Sequence, residues 1–252
     1  CCTNTITTMR KLIFILCFLP SLVIAQTQTY SINGMLNIGN RAGYLIGTKG
    51  EYKSKDTGKF GIIGTASGQI QYASANDVMV LQRRDGNLSA YSWKTLDKVQ
   101  SLILFGEGEH SYTRKVEFRV TGGAGYKRTI LNVPGRKIEL SQAVTTEQLQ
   151  LIEGNRTWTI RSSTRGKFVL GTLTKLTITA NIQPPLASNT GASAANNLVG
   201  RLTAQLEHPL SKSVSFLFGG DVNYQTYQTW VKPEVKPYDG VFQIGLIWKP
   251  NK

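Results

Sequence analysis

Residues 214–224 read Val214-Ser-Phe-Leu-Phe-Gly-Gly-Asp-Val-Asn-Tyr224, and the alternation in this stretch decides the fold. Successive side chains of an extended strand point to opposite faces. One face carries the apolar and aromatic side chains Val214, Phe216, Phe218, Val222 and Tyr224. The other face carries the small and polar residues Ser215, Gly219, Asp221 and Asn223. A long strand with one apolar and one polar face is typical of a sheet that closes on itself in a membrane.

The same alternation recurs almost to the C-terminus and predicts twelve strands. They cover 30–39, 42–53, 59–73, 78–93, 99–111, 115–128, 136–146, 156–169, 173–183, 197–207, 212–225 and 238–249. Strands of soluble proteins usually have about five or six residues. Most of the predicted strands are longer and reach the roughly nine to eleven residues that cross a bilayer. The sequence therefore predicts an all-β fold, a transmembrane antiparallel β-barrel of about twelve strands. The alternative is a secreted soluble β-barrel or sandwich that binds an apolar ligand inside.

The N-terminal segment has the three parts of a secretory signal peptide. Met9-Arg-Lys supplies a basic start, residues 12–19 are apolar, and Val23-Ile-Ala25 ends in a small residue. The apolar run is too short for a membrane helix, which needs about 20 residues. We expect cleavage between Ala25 and Gln26. The predicted organisation is an upstream stretch or mis-set start over 1–8, a signal peptide over 9–25 and a barrel domain over 26–252.

Composition and charge limit the partners of the mature chain. The formal charge is +14, yet only 17% of the residues are charged, against about 25% in soluble domains. An exported chain seldom meets nucleic acid, so we expect the counter-charges in outer-membrane lipids and lipopolysaccharide. The last strand ends in Trp248, the aromatic tip that barrel-insertion machinery receives. All three cysteines precede Gln26, so no disulfide or cysteine metal site is expected.

The lengths of the connections predict how the two ends of the barrel differ. The three longest connections, at 147–155, 184–196 and 226–237, follow the seventh, ninth and eleventh predicted strands. All three therefore lie at one end, which is extracellular if both termini are periplasmic. Residues 147–153 have the composition for a turn or two of helix.

Three stretches resemble one known family. They are Asn37-Ile-Gly-Asn40, Phe105-Gly-Glu-Gly-Glu109 and Glu117-Phe-Arg-Val-Thr-Gly-Gly-Ala-Gly-Tyr-Lys127. The chain is similar through most of 30–249 to the salt-induced outer-membrane proteins (the YdiY-like family), whose domain has no established function. The resemblance implies an outer-membrane barrel and brings no catalytic residues with it.

The polar face of the predicted wall carries charges of both signs. The candidate lumen cluster comprises Glu107, Glu109, Glu117, Arg119, Arg161, Arg201 and Asp221. We place Arg119 at its centre, beside Glu107 and Glu117. Two interpretations stay open: a selectivity lining in a narrow pore, or a salt-bridged plug that fills a modest lumen and holds its shape.

The connection 226–237 is the candidate surface loop. Tyr227, Trp230, Lys232 and Lys236 have the chemistry to contact a glycan or lipopolysaccharide phosphate. Anchoring at the membrane interface would also place tryptophan and lysine there.

Enzyme chemistry has little support in this sequence. An outer-membrane lipid hydrolase would need a serine and a histidine near an acid, and the only histidines are His110 and His208. In a strand, His110 faces away from Glu109 and Ser111. Gly122-Gly-Ala-Gly125 lacks the following helix that a phosphate-binding loop requires.

The sequence therefore predicts a protein without catalytic, cofactor or metal sites in the outer membrane of a Gram-negative bacterium. It would serve as a narrow porin-like channel for small ions or solutes, or as a structural envelope protein.

Overall fold

The computed structural model describes residues 25–38, 43–54, 60–75, 78–111, 116–152, 154, 156–231, 233 and 236–249. Within 25–48, 52–54, 69–84 and at residue 228 it describes the backbone alone. The predicted segments 1–8 and 9–25 lie outside these residues except for Ala25, so the signal peptide and its cleavage site stay predictions.

The described chain is almost entirely β-strand. The strands are β1 (Ala25–Ile38), β2 (Gly43–Ser54), β3 (Phe60–Ala75), β4 (Val78–Thr95), β5 (Gln100–Ser111), β6 (Val116–Val133), β7 (Arg136–Leu151), β8 (Arg156–Leu170), β9 (Lys175–Gln183), β10 (Pro185–Ser188), β11 (Val199–Pro209), β12 (Val214–Gln225) and β13 (Tyr238–Trp248). One helix, α1, covers Thr226–Val231, and a 3₁₀ turn covers Ala195–Asn197. No helix in the described ranges has the length and apolarity to cross a membrane.

Twelve of these strands pair in a closed antiparallel circuit. Each of β1 to β8 pairs with the next strand, and β9 then pairs with β11. The circuit continues through β12 and β13 and returns to β1. The short strand β10 adds to the free part of β8, at Thr159–Arg161. The predicted fold class, an antiparallel β-barrel of about twelve strands, is confirmed.

The two faces of the wall differ as the alternation predicts. On β12, Ser215 and Leu217 are buried whereas Phe218, Val222 and Tyr224 are exposed. Among the described residues, the buried polar side chains outnumber the buried hydrophobic ones, and large hydrophobic side chains dominate the exposed set. This is the reverse of a soluble protein, and it suits a wall with lipid outside and polar groups inside.

The two ends of the barrel differ in their connections. One end, called here the loop end, carries 152–155, 184–198 and 226–237. The other, called here the terminus end, carries both termini of the described chain and the connections 96–99, 134–135, 171–174 and 210–213. Two of the three predicted long connections, 184–198 and 226–237, lie together at the loop end as expected. The third lies there too but shortens to 152–155, no longer than 96–99, 171–174 or 210–213 at the terminus end.

Some boundaries differ from the prediction near the loop end. β7 continues to Leu151, so residues 147–151 extend the strand instead of turning into a helix. The reason is burial, because Leu149 and Leu151 continue the inward-facing series of β7. Residues 226–231 form α1 instead of irregular loop.

Candidate functional site

The loop half of the lumen holds a buried network of four charged side chains. Glu147 on β7 lies between two guanidinium groups: its Oε1 is 2.8 Å from Arg161 Nη2 and its Oε2 is 3.2 Å from Arg119 Nε. Arg119 Nη1 also lies 3.3 Å from Glu109 Oε2. All four residues are at most 6% exposed. Two positive and two negative charges balance there, as burial requires. Glu109, Arg119, Glu147 and Arg161 are called the ion-pair network below.

The ion-pair network is fastened to the connection between β10 and β11. Arg161 Nη1 donates to the main-chain oxygen of Asn197 at 2.5 Å, and Nη2 donates to Asn197 Oδ1 at 2.8 Å. Asn197 is itself buried and donates from Nδ2 to Ser188 and Thr190 at 3.3 Å. A residue of the connection between two strands thus completes the hydrogen bonding of a guanidinium group on the barrel wall.

Two contacts cross the lumen from one side of the wall to the other. Arg119 on β6 donates through Nη2 to Gln225 Oε1 on β12. Arg201 Nη1 on β11 lies 3.6 Å from Glu107 Oε1 on β5. In each case the strands stand five places apart in the circuit of twelve, so they face each other across it. Side chains therefore meet across the lumen at two successive inward-facing positions.

The second of these contacts, called here the cross-lumen pair, is held by amides. Asn87 Nδ2 on β4 donates to Glu107 Oε1 at 2.5 Å. Arg201 Nε donates to Asn223 Oδ1 at 2.7 Å. These bonds fix both long side chains in their reach toward the centre of the lumen. The Arg201 and Glu107 side chains remain 41% and 27% exposed, whereas the ion-pair network is closed to water.

Above the ion-pair network, an apolar cluster fills part of the mouth. Val116, Leu149, Leu151 and Tyr227 are buried against one another. Tyr227 belongs to α1, and Thr226 ties α1 to the β10–β11 connection by donating to the Ala195 main-chain oxygen at 2.8 Å. Burial raises the pKa of Tyr227 above its ordinary value, and a hydrogen bond with Thr157 acts against that rise. The long connections therefore fold into the mouth.

The structure brings five of the seven predicted lumen charges into two groups and leaves Asp221 and Glu117 outside them. Glu109, Arg119 and Arg161 share the ion-pair network, and Glu107 and Arg201 form the cross-lumen pair. Asp221 accepts a hydrogen bond from Thr203 at 2.6 Å on the neighbouring strand.

Glu117 lies apart from Arg119, contrary to its expected place at the centre of the cluster. It is exposed and accepts a hydrogen bond from Gln150 Nε2 at 2.6 Å. The cause is an irregularity in the β6–β7 pairing between Val116 and Phe118, which adds one residue to β6. Glu117 is the extra residue and is left out of the pairing, so it does not share the inward face with Arg119.

The candidate surface loop is only partly a surface. Tyr227 is buried in the apolar cluster, so its expected place as a surface contact is wrong. Trp230 is exposed, and its ring stacks on Tyr227 at 5.9 Å between centroids. The Lys236 ammonium lies 5.8 Å from the centre of the Tyr238 ring, and Lys232 lies outside the described residues.

Several members of this site were not predicted, among them Glu147, Asn197 and Gln225. Glu147 had been assigned to a connection, although the inward series Ala143, Thr145, Glu147, Leu149 and Leu151 continues the strand period. Gln225 stands at the last position of β12, in phase with Ser215 and Asn223. Asn197 has no such signal, because nothing local places a loop residue against Arg161.

The two histidines lie outside the network. His110 is exposed and its Nδ1 lies 2.6 Å from the Glu117 main-chain oxygen, while Glu109 and Ser111 are buried on the other face. His208 Nδ1 lies 2.7 Å from Thr174 Oγ1 near the terminus end. His110 therefore faces away from Glu109 and Ser111, as the alternation predicts.

Comparisons with known proteins bear on the fold. No protein-family model and no curated protein matches the chain, so the resemblance to the salt-induced family stays a prediction. Among solved structures, the chain is similar to the NanC porin, with a TM-score of 0.56 and 8% identity over 87% of this chain and 98% of that chain. It also matches the KdgM porin in complex with disordered oligogalacturonate, with a TM-score of 0.46 and 8% identity over 86% and 98% of the two chains.

A third match is the anion-selective porin from Comamonas acidovorans, with a TM-score of 0.42 and 8% identity over 89% and 99% of the two chains. The similarity to the NanC porin carries the conclusion, which at this identity concerns the fold alone. The chain has the β-barrel fold of outer-membrane porins.

Proposed function

We propose that the protein is a narrow channel of the bacterial outer membrane, constricted near its loop end, for small ions or solutes. The observation that carries the proposal is the partial exposure of the cross-lumen pair. Arg201 and Glu107 meet at 3.6 Å, yet 41% and 27% of their side chains stay accessible. A sealed plug would exclude water from both.

The remaining lumen supports the same function. Apart from Val169, the inward-facing series of β8 and β9 toward the terminus end is polar: Ser163, Arg165, Lys167, Lys175, Thr177, Thr179 and Asn181. These groups hydrogen-bond water and attract ions. Polar linings of this kind are found in barrels that conduct.

The outer surface supports residence in a membrane. Leu102, Leu104, Phe218, Phe242 and Ile244 are about half exposed or more. Such a surface is covered in lipid and costly in water. Lipids and lipopolysaccharide are accordingly the partners proposed for the wall, and the insertion machinery for its last strand.

Conductance in planar lipid bilayers tests the channel. We expect small steps from the unaltered protein and larger ones from Arg201→Ala, because this change removes a side chain that reaches across the lumen. Lys212→Ala is the matched control, since it removes one positive charge from the exposed turn between β11 and β12. It should leave the step size unchanged.

One result contradicts the proposal and favours the structural envelope protein. Both the unaltered protein and Arg201→Ala would insert as folded barrels, shown by heat-modifiable gel mobility, and neither would conduct. The buried ion-pair network would then be read as part of a complete plug.

A further inference from the structure

The terminus half of the lumen contains a second group of charges, on β6, β7 and β8. Glu139 is the only carboxylate of this group in the described structure. Its Oε1 lies 3.0 Å from Lys137 Nζ and 3.5 Å from Lys127 Nζ. Lys167 stands directly opposite Glu139 in the β7–β8 register, and Arg165 faces the same side two residues away. Lys127, Lys137, Arg165 and Lys167 are called the basic patch below.

The charge in the basic patch is not balanced by carboxylates among the described residues. Four cations surround one carboxylate, and Glu139 is already engaged by two lysines. Neither Arg165 nor Lys167 forms an ion pair with any residue that the structure describes. The excess is local, because the loop half pairs Arg119, Arg161 and Arg201 with carboxylates.

The basic patch packs against a buried aromatic ring on one side and is exposed on the other. The Lys127 ammonium lies 5.9 Å from the Trp93 ring centre. Trp93 is buried flat against Gly61, where a Cβ atom would come within 2.1 Å of the indole. Arg165 and Lys137 face the open lumen, since both keep substantial exposed surface. The basic patch thus lies against the barrel wall and presents its cations to solute in the lumen.

We propose that the basic patch binds the oxyanion group, carboxylate or phosphate, of a small solute in the lumen. The proposal rests on the proposed function, because solute must enter the lumen. Arg165 would donate hydrogen bonds from its planar guanidinium group to two oxygens of the anion, an arrangement that suits carboxylate and phosphate. Lys167 and Lys137 would supply compact charges beside it. Such a bound anion supplies the negative charge that the wall lacks.

The first experiment measures selectivity and block in planar bilayers. Under a potassium chloride gradient, we expect a reversal potential that indicates anion preference. Glucuronate or inorganic phosphate, each added separately, should reduce the chloride current in a saturable way. In Arg165→Gln/Lys167→Gln, block should weaken by roughly tenfold or more, since both changes remove charged hydrogen bonds to the anion.

The matched control is Lys98→Gln/Lys212→Gln, which removes the same charge from two exposed turns at the terminus end. Its block and selectivity should equal those of the unaltered protein. Comparison of the two added anions identifies whether carboxylate or phosphate is preferred. Should the double variant fail to fold, Arg165→Gln alone provides the test, because that side chain is the more exposed of the two.

Calorimetric titration of the folded protein in detergent, with the same two anions, separates this proposal from the channel itself. Saturable heat that the Arg165→Gln change weakens, without any conductance, would support the basic patch while the channel fails. Conductance with no anion preference, no block and no heat of binding would overturn the basic patch while the channel stands.

Discussion

At the scale of single residues, the stability of the loop end depends on the buried carboxylate of Glu147. One carboxylate serves two guanidinium groups, and the surrounding mouth excludes water from all three. A charge in such a place must be paired, because the desolvation cost of an unpaired ion is several kcal/mol. The network therefore makes the loop end stable only when it is complete.

Replacing Glu147 with glutamine should destabilise the barrel. The neutral amide leaves Arg161 without a charged partner and Arg119 with Glu109 alone, a loss on the order of 3–5 kcal/mol. Urea unfolding in detergent or lipid vesicles measures it. Glu117→Gln is the control on the exterior, where exposed pairs contribute about 0–1 kcal/mol. Equal unfolding midpoints for the two variants would mean that the network contributes nothing.

The predictability of individual residues follows the regularity of the backbone around them. Alternation correctly assigned Ser215, Phe218 and Val222 to their faces because β12 is regular. It misplaced Glu117, because the extra residue in β6 near Val116 depends on pairing with β7. A bulge is a property of two strands, and one strand's sequence does not contain it.

At the scale of elements, the glycines of β6 act through the spacing between strands. Residues 122–125 of β6 read Gly-Gly-Ala-Gly. A Cβ atom at Gly125 would lie 2.2 Å from the Gln142 main-chain oxygen and 2.5 Å from Ala143 Cβ on β7. At Gly122 the nearest atom would be 3.9 Å away. A methyl group therefore has no room at Gly125 but has room at Gly122 of the same strand.

Gly125→Ala should weaken the β6–β7 contact, whereas Gly122→Ala should be tolerated. An added methyl at Gly125 forces the backbone of β7 outward, with a cost of about 1–3 kcal/mol. Thermal unfolding followed by heat-modifiable mobility compares the pair. A lower transition temperature for Gly122→Ala than for Gly125→Ala would contradict the spacing argument.

Helix α1 shows what element prediction lacks. Its sequence, Thr226-Tyr-Gln-Thr-Trp-Val231, contains β-branched and aromatic residues with weak helix propensity. The helix forms where Tyr227 packs on Leu149 and Leu151 of β7. Tertiary packing, and not local helix propensity, stabilises α1. The local sequence therefore predicts an irregular loop. The same burial explains why β7 extends through residues that resembled a turn.

At the scale of the whole molecule, the alternation in the sequence predicts the architecture of the barrel. It does not predict which side chains meet across the lumen. The strand count, the antiparallel order and the shared end of the long connections all follow from local pattern and parity. The pairing of Arg201 with Glu107 requires knowing that β5 faces β11 across the closed circuit. That relation depends on the closed circuit of all twelve strands, which no local pattern records.

The inverted distribution of polarity makes a prediction that separates a membrane barrel from a soluble one. Ile244 lies near the middle of β13 and is 54% exposed, while Tyr238 begins the strand at the loop end and is 49% exposed. In a bilayer, arginine at mid-depth costs about 2–4 kcal/mol and near the interface about 0–1 kcal/mol. Ile244→Arg should therefore destabilise the barrel in lipid vesicles far more than Tyr238→Arg does.

Equilibrium unfolding in vesicles measures the difference, and repeating it in vesicles of thinner lipid tests its origin. The cost of Ile244→Arg should fall as the bilayer thins, because the arginine then lies nearer to a headgroup region. Water on the outer face would abolish this dependence, since exposed substitutions in soluble proteins change stability by about 0.5 kcal/mol or less. Equal effects at both positions would therefore favour the secreted soluble barrel.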